Sequence, residues 1–78
     1  MVIIVKSPLM QDKIKDLLDG GTFDGVRFSF VGKKGIELTF SVSGDNIETA
    51  DVAAIAKSAV KATEFGKGIM LSVVQALE

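Results

Sequence analysis

Residues Asp24 to Val42, DGVRFSFVGKKGIELTFSV, decide how the rest of the 78-residue chain is arranged. Val26, Phe28 and Phe30 alternate with Arg27 and Ser29, and Ile36, Leu38, Phe40 and Val42 alternate with Glu37, Thr39 and Ser41. Successive side chains of a strand point to opposite faces, so this period predicts a β-hairpin with one buried and one open face. The residues between the arms set the register. A tight loop at Lys33-Lys34 would pair Gly32 with Gly35, place Phe30 opposite Glu37 and split the apolar residues between the faces. A longer loop of Lys33, Lys34 and Gly35 pairs Gly32 with Ile36, Phe30 with Leu38, Phe28 with Phe40 and Val26 with Val42, and gathers the apolar side chains on one face. Such a loop is a type I turn followed by a residue at positive φ, the position Gly35 occupies, and it is the expected one.

A chain of this length is expected to form one domain, residues 1–78, and to bury only about 60% of the surface its unfolded state exposes. It contains neither Cys nor His, which excludes disulfides, zinc-thiolate sites, catalytic thiols and histidine acid–base chemistry. Packing alone must hold it. Hydrophobic residues make up 47% of the chain and the mean hydropathy is +0.39, more than two helices on one sheet face absorb, so part of the surplus is expected to meet another chain. Nine Lys and Arg against ten Asp and Glu leave a net charge of −1, so neither nucleic acid nor an anionic membrane is an expected partner. The apolar run Val2 to Val5 is far too short for a signal peptide or a membrane span and follows no basic segment, which points to a cytoplasmic location.

Val2-Ile3-Ile4-Val5 is a continuous β-branched run, as expected of a central strand with apolar material on both faces. Ser7 suits a helix N-cap and Pro8 a first helical position, and Met10, Ile14, Leu17 and Leu18 recur at helical spacing until Gly20-Gly21. Thr22 to Gly25 is turn-like, with Phe23 covering the core edge or opening the hairpin. Beyond Val42, Ser43-Gly44-Asp45-Asn46 breaks the sheet. Asp45 and Glu48 form a capping box for a second helix, with Thr49 as a rival cap. Its buried stripe reads Val52, Ile55, Ala56, Ala59, Val60 and Thr63, ended by Phe65-Gly66-Lys67-Gly68. Ile69 to Leu77 reads as a last, strongly apolar strand.

The element order is therefore βαββαβ. Short connections and right-handed crossovers make this an α+β, ferredoxin-like sandwich, with a four-stranded antiparallel sheet in the order 4-1-3-2 and two helices on one face. Such sheets host many functions, so the fold alone names none.

Several stretches carry partial signatures of known sites. Lys34 to Phe40 begins like the RNA-recognition-motif signature, but Ile36 and Leu38 stand where stacking rings are needed and the first strand has no aromatic. Phe23 to Phe28 resembles, over these few residues, the phosphate-cradling loop of acylphosphatases. In that family the loop follows the first strand, where this chain has Lys6-Ser7-Pro8 and its donor-less proline. Asp12, Asp16 and Asp19 share one side of the first helix, yet Lys13 and Lys15 interrupt them and no loop supplies further oxygen ligands, so a solvated face is expected. Gly66-Lys67-Gly68 lacks the length and the hydroxyl residue of a P-loop. No cofactor and no metal is expected.

The open sheet face is more informative. Val2 and Ile4 of the first strand, whose unbroken apolar run leaves its face assignment open, and Met70, Val74 and Ala76 of the last are expected to form an apolar half, and Arg27, Ser29, Glu37, Thr39 and Ser41 a polar half. An apolar patch with a polar rim is how an interface is built. The expected function is a non-enzymatic, homo-oligomeric interaction or regulatory module that pairs, as a homodimer or with another protein, through the side formed by its last and first strands. The alternatives are a small-ligand or single-stranded nucleic-acid binder using the polar half, and a small enzyme using carboxylate or lysine chemistry.

Overall fold

The computed structural model describes residues 1–44 and 51–76. They form β1 (Val2–Lys6), α1 (Gln11–Leu18), β2 (Thr22–Phe23), β3 (Val26–Lys34), β4 (Glu37–Gly44), α2 (Val52–Lys61), α3 (Glu64–Lys67) and β5 (Ser72–Ala76). The result is a small α+β structure with one antiparallel sheet in the order β2-β3-β4-β1-β5 and three helices.

The hairpin forms, but its register differs from the expected one. Lys34 pairs with Glu37, so the turn is the dipeptide Gly35-Ile36, with Gly35 at φ 60°. Positive φ at the first central position is the signature of a type II′ turn, whose twist suits a hairpin. Lys33 then meets Leu38 and Gly32 meets Thr39. Continued without interruption, this pairing would set Phe30 against Ser41, on the wrong face. A β-bulge between Phe30 and Gly32 leaves Val31 unpaired and brings Phe30 opposite Phe40, Phe28 opposite Val42 and Val26 opposite Gly44. The expected pairs Phe30–Leu38, Phe28–Phe40 and Val26–Val42 are each displaced by two residues. Because the displacement is even, the buried face is unchanged: Val26, Phe28, Leu38, Phe40 and Val42 are all buried. Val31 and Ile36 are surrendered to solvent, at 62% and 50% exposure.

The sheet has five strands rather than four. The extra strand is β2, whose Thr22 and Phe23 pair with Arg27 and Val26 across a tight turn at Asp24-Gly25, with φ 51° and 78°. Both central residues at positive φ define a type I′ turn, for which Asp-Gly is a preferred sequence. β1 is central, between β4 and β5, with Ile3 and Val5 buried and Val2 and Ile4 half-buried.

Helix α1 does not start at Ser7-Pro8. The Ser7 backbone N–H donates to the Ile36 carbonyl at 2.9 Å, holding the chain in the sheet, and its buried hydroxyl donates to the Leu9 carbonyl at 2.7 Å. Its oxygen also accepts from the Leu9 N–H at 3.4 Å, so the side chain closes a local turn ahead of the helix rather than capping it. Met10, in the left-handed region at φ 59°, separates this turn from the helix. Ile14 and Leu18 carry the burial of α1, Leu17 packs at the core's margin, and Met10 is exposed.

Helix α2 is capped by Asp51, whose carboxylate accepts from the Ala54 N–H at 3.1 Å. Asp45, Glu48 and Thr49, the expected caps, lie outside the described residues. Val52, Ala56 and Val60 are buried at successive helical turns, with Ile55 and Ala59 packed beside them, as the sequence stripe predicts. The stretch expected merely to end this helix forms the separate turn α3. Thr63 caps it, its hydroxyl accepting from the Gly66 N–H at 3.0 Å and donating to the Val60 carbonyl at 2.6 Å. The chain then turns inward at the buried Ile69 and enters β5 only at Ser72.

The turn at Gly35 gives a direct test. Gly35→Val should lower stability by about 1–2 kcal/mol, because a β-branched residue fits positive φ poorly. Gly32→Val, at ordinary φ with open space beside its Cα, should leave the urea midpoint unchanged or raise it. Equal losses in the two variants would contradict the Gly35-Ile36 turn.

Candidate functional site

Strand pairing lines up the side chains that point away from the helices. On either side of β1, Val2 is flanked by Ser41 and Ala76, Ile4 by Thr39 and Val74, and Lys6 by Glu37 and Ser72. Across β4 these rows continue to Ser29, Gly32 and Lys34 of β3. The open face therefore carries three transverse rows: Ala76-Val2-Ser41-Ser29, Val74-Ile4-Thr39-Gly32 and Ser72-Lys6-Glu37-Lys34. Their apolar members all fall on β5 and β1, and the β4–β3 half is polar.

This places the residues singled out from the sequence. Val2, Ile4, Val74 and Ala76 are adjacent on one half of the face; Val74 is 41% exposed and the other three are half-buried. Met70 does not join them on a strand. It precedes β5 and stands 88% exposed at the end of the sheet where β1 finishes. In the polar half, Arg27 and Ser41 are exposed, whereas Ser29, Thr39 and Glu37 are half-buried. Glu37 Oε2 lies 3.7 Å from Lys6 Nζ, an exposed pair at the seam between the two halves. The aromatic rings lie on the other side of the sheet. Phe28 and Phe40 are fully buried, and Phe30 packs edge-on to Phe40 at 5.6 Å beneath the Lys15 ammonium, 4.7 Å from its ring centroid.

The two edges of the sheet are treated differently. Along β3, β2 pairs with Val26 and Arg27, and the end of α1 covers the next residues. Gly20 N–H donates to the Phe28 carbonyl at 2.7 Å, Phe28 N–H donates to the Gly21 carbonyl at 3.0 Å, and Phe30 N–H donates to Asp19 Oδ1 at 3.0 Å. Asp19 thus satisfies a strand-edge donor rather than lining up with Asp12 and Asp16, and among the described residues no group of acidic side chains is placed to hold a metal ion. β5 pairs only with β1, and among the described residues nothing bonds its outer edge. Ser72-Val73-Val74-Gln75-Ala76 contains no charge and no proline, the devices that usually blunt an edge strand.

A second apolar group collects at the Ile36 end of the sheet. Gln11 Nε2 donates to the carbonyls of Ser7 and Gly35, tying the β1–α1 loop to the hairpin turn. On one side of this junction a depression of about 370 Å³ is lined by Leu9, Met10, Lys13 and Lys33. On the other, one of about 340 Å³ is lined by Lys6, Ile36, Met70 and Leu71. Leu9, Met10 and Ile36 escaped the sequence reading because each was assigned to a regular element or left unassigned, and only the actual positions of the turn and the helix start expose them.

Compared with protein-family models, curated proteins and solved structures, the chain matches none. No helix among the described residues is long and apolar enough to cross a membrane.

The protected edge supplies a prediction. Asp19→Ala removes the acceptor for Phe30 N–H and should cost about 1 kcal/mol, lowering the melting temperature by about 4–8 °C. Asp19→Asn, which keeps an acceptor oxygen, should recover part of this. An Asp19→Ala melt superimposable on wild type would show that the carboxylate does not secure β3.

Proposed function

We propose that this chain is a non-enzymatic, homo-oligomeric interaction module that associates through the β5–β1 side of its sheet. One observation carries the reading: Val2, Ile4, Val74 and Ala76 are contiguous on the uncovered face, directly beside the one long strand whose outer edge is unbonded among the described residues. Apolar surface and open backbone groups coincide there, and a single partner covers both. If association removes ~300 Å² of apolar surface per chain, ~600 Å² for the pair, the gross gain is about 15 kcal/mol at ~25 cal/mol per Å². Lost translational and rotational freedom sets against this a cost of about 4–15 kcal/mol, so the balance favours a reversible pair over an obligate one.

The ferredoxin-like assignment belongs to the same proposal. With β2 set aside, the remaining strands run β5-β1-β4-β3, the order expected of that sandwich, and β2 and α3 become additions to it. The ligand-binding alternative would use Arg27, Ser29, Glu37, Thr39 and Ser41. It is the weaker reading, because Glu37 is opposed by Lys6 and the rings available for stacking lie under the helices. An enzymatic role finds less support still: the side-chain ion pairs Lys6–Glu37 and Lys67–Glu64 are both open to solvent, without the desolvation that tunes a catalytic group.

Sedimentation equilibrium at tens of micromolar is the test. Wild type should show a monomer–dimer equilibrium and Val74→Lys, on the exposed face of β5, should sediment as a monomer whose melting profile matches that of dilute, monomeric wild type. A strictly monomeric wild type would remove the proposal's support.

A further inference from the structure

We infer that two copies join edge to edge, β5 against β5 of the second copy, in an antiparallel pair about a two-fold axis at Val74, so that the two sheets become one. The inference rests on the association proposed above and specifies its geometry. Stacking of the two open faces is the competing arrangement, and three observations favour the edge.

The first is the unequal finish of the sheet. β3 is closed along its outer side by β2, by the backbones of Gly20 and Gly21, and by the Asp19 carboxylate, whereas five consecutive residues of β5 present an outer side that no described residue bonds. One edge is covered by three separate devices and the other is bonded by no described residue, which makes it a template for one more strand. The second is self-complementarity. In an antiparallel pair centred on Val74, Ser72 faces Ala76 of the second copy and Val73 faces its Gln75. All five residues are uncharged, so no like charges meet across the axis. The third is continuity. Val74 flanks Ile4, and Ala76 flanks Val2, so pairing through Val74 joins the two apolar halves into one strip across the junction and keeps the polar halves at its far ends. Full overlap of the two open faces would instead press the polar β4–β3 halves together, and stacking of the β5–β1 halves alone would leave the β5 edge amides unpaired.

The strand is short, and this fixes the strength of the pair. A standard interface removes about 800 Å² per partner, roughly a sixth of the 4673 Å² this chain exposes. Five residues of edge cover less, so the pair is weak and depends on concentration.

Amide hydrogen exchange of isotope-labelled protein, measured well below and well above the dissociation constant found by sedimentation, reads the geometry directly. Alternate amides of Ser72 to Ala76 bond to β1 and should be protected at both concentrations. The intervening amides point outward and should gain protection by about tenfold or more only at the higher concentration. Thr39→Arg, two strands from the edge on the open face, should leave dimerisation intact. Dimerisation with no gain at the intervening β5 amides, or its loss in Thr39→Arg, would overturn edge pairing while leaving association through this face standing. A monomer at every concentration would overturn both.

Discussion

The extra residue at Val31 is the constraint on which the rest of the structure depends. A hairpin closed by the dipeptide Gly35-Ile36 cannot put Phe30 and Phe40 on the same face unless one residue is skipped, because strand side chains alternate strictly. The bulge skips it. Phe30 then meets Phe40, Phe28 joins Leu38, Val26 and Val42 in the core, and the helices have a continuous apolar surface to cover. The same step sends Thr39, Ser41, Ser29 and Arg27 to the open side. One local irregularity therefore separates core from surface along both arms, and β1, paired along β4, inherits the separation.

From this follows the asymmetry of the sheet. Helix α1 ends against β3, so its last residues and the glycines behind it fall where they can bond that strand's outer side. α2 packs toward β5 through its buried stripe, covering the inner face of the last strand and leaving its outer edge unbonded among the described residues. Core formation is satisfied on one face and on one edge. What remains is an apolar half-face beside a polar one and an uncharged strand edge, a combination that costs free energy in water and that the proposed pairing would relieve.

Much of this is legible in the sequence, and the failures have specific physical causes. Alternation identified both hairpin arms, and the stripe Val52, Ile55, Ala56, Ala59 and Val60 identified the inner face of α2. Period placed Arg27, Ser29, Thr39 and Ser41 on the open face, but the continuous run Val2 to Val5 has no alternation, so the face of Val2 and Ile4 was settled only by their pairing, and Met70, grouped with them from the sequence, lies before β5. The hairpin register was not legible, because parity separates odd from even displacements but cannot separate two registers that differ by two residues. A bulge leaves no mark in the alternation beyond Val31 itself, which reads equally as a strand end. Ser7 had every feature of a helix cap, but its backbone was already committed to Ile36 and its hydroxyl to Leu9. The strand β2 did carry a signal, Asp24-Gly25 between Phe23 and Val26, and the neighbouring long hairpin overshadowed it. The exposure of Leu9, Met10 and Ile36 had none, since it follows only once the turn and the helix start are known.

The account's central claim is that this domain meets a second copy through the β5–β1 side. The most direct measurement is an isotope-filtered NOE experiment on an equimolar mixture of labelled and unlabelled protein at high concentration, which reports only contacts between copies. The account predicts methyl contacts from Val74 of one copy to Val74 of the other, with Ala76 next in strength and none from Thr39 or Arg27. Intermolecular contacts confined to the β3–β4 half of the face or to the helices, with none from Val74, would contradict it.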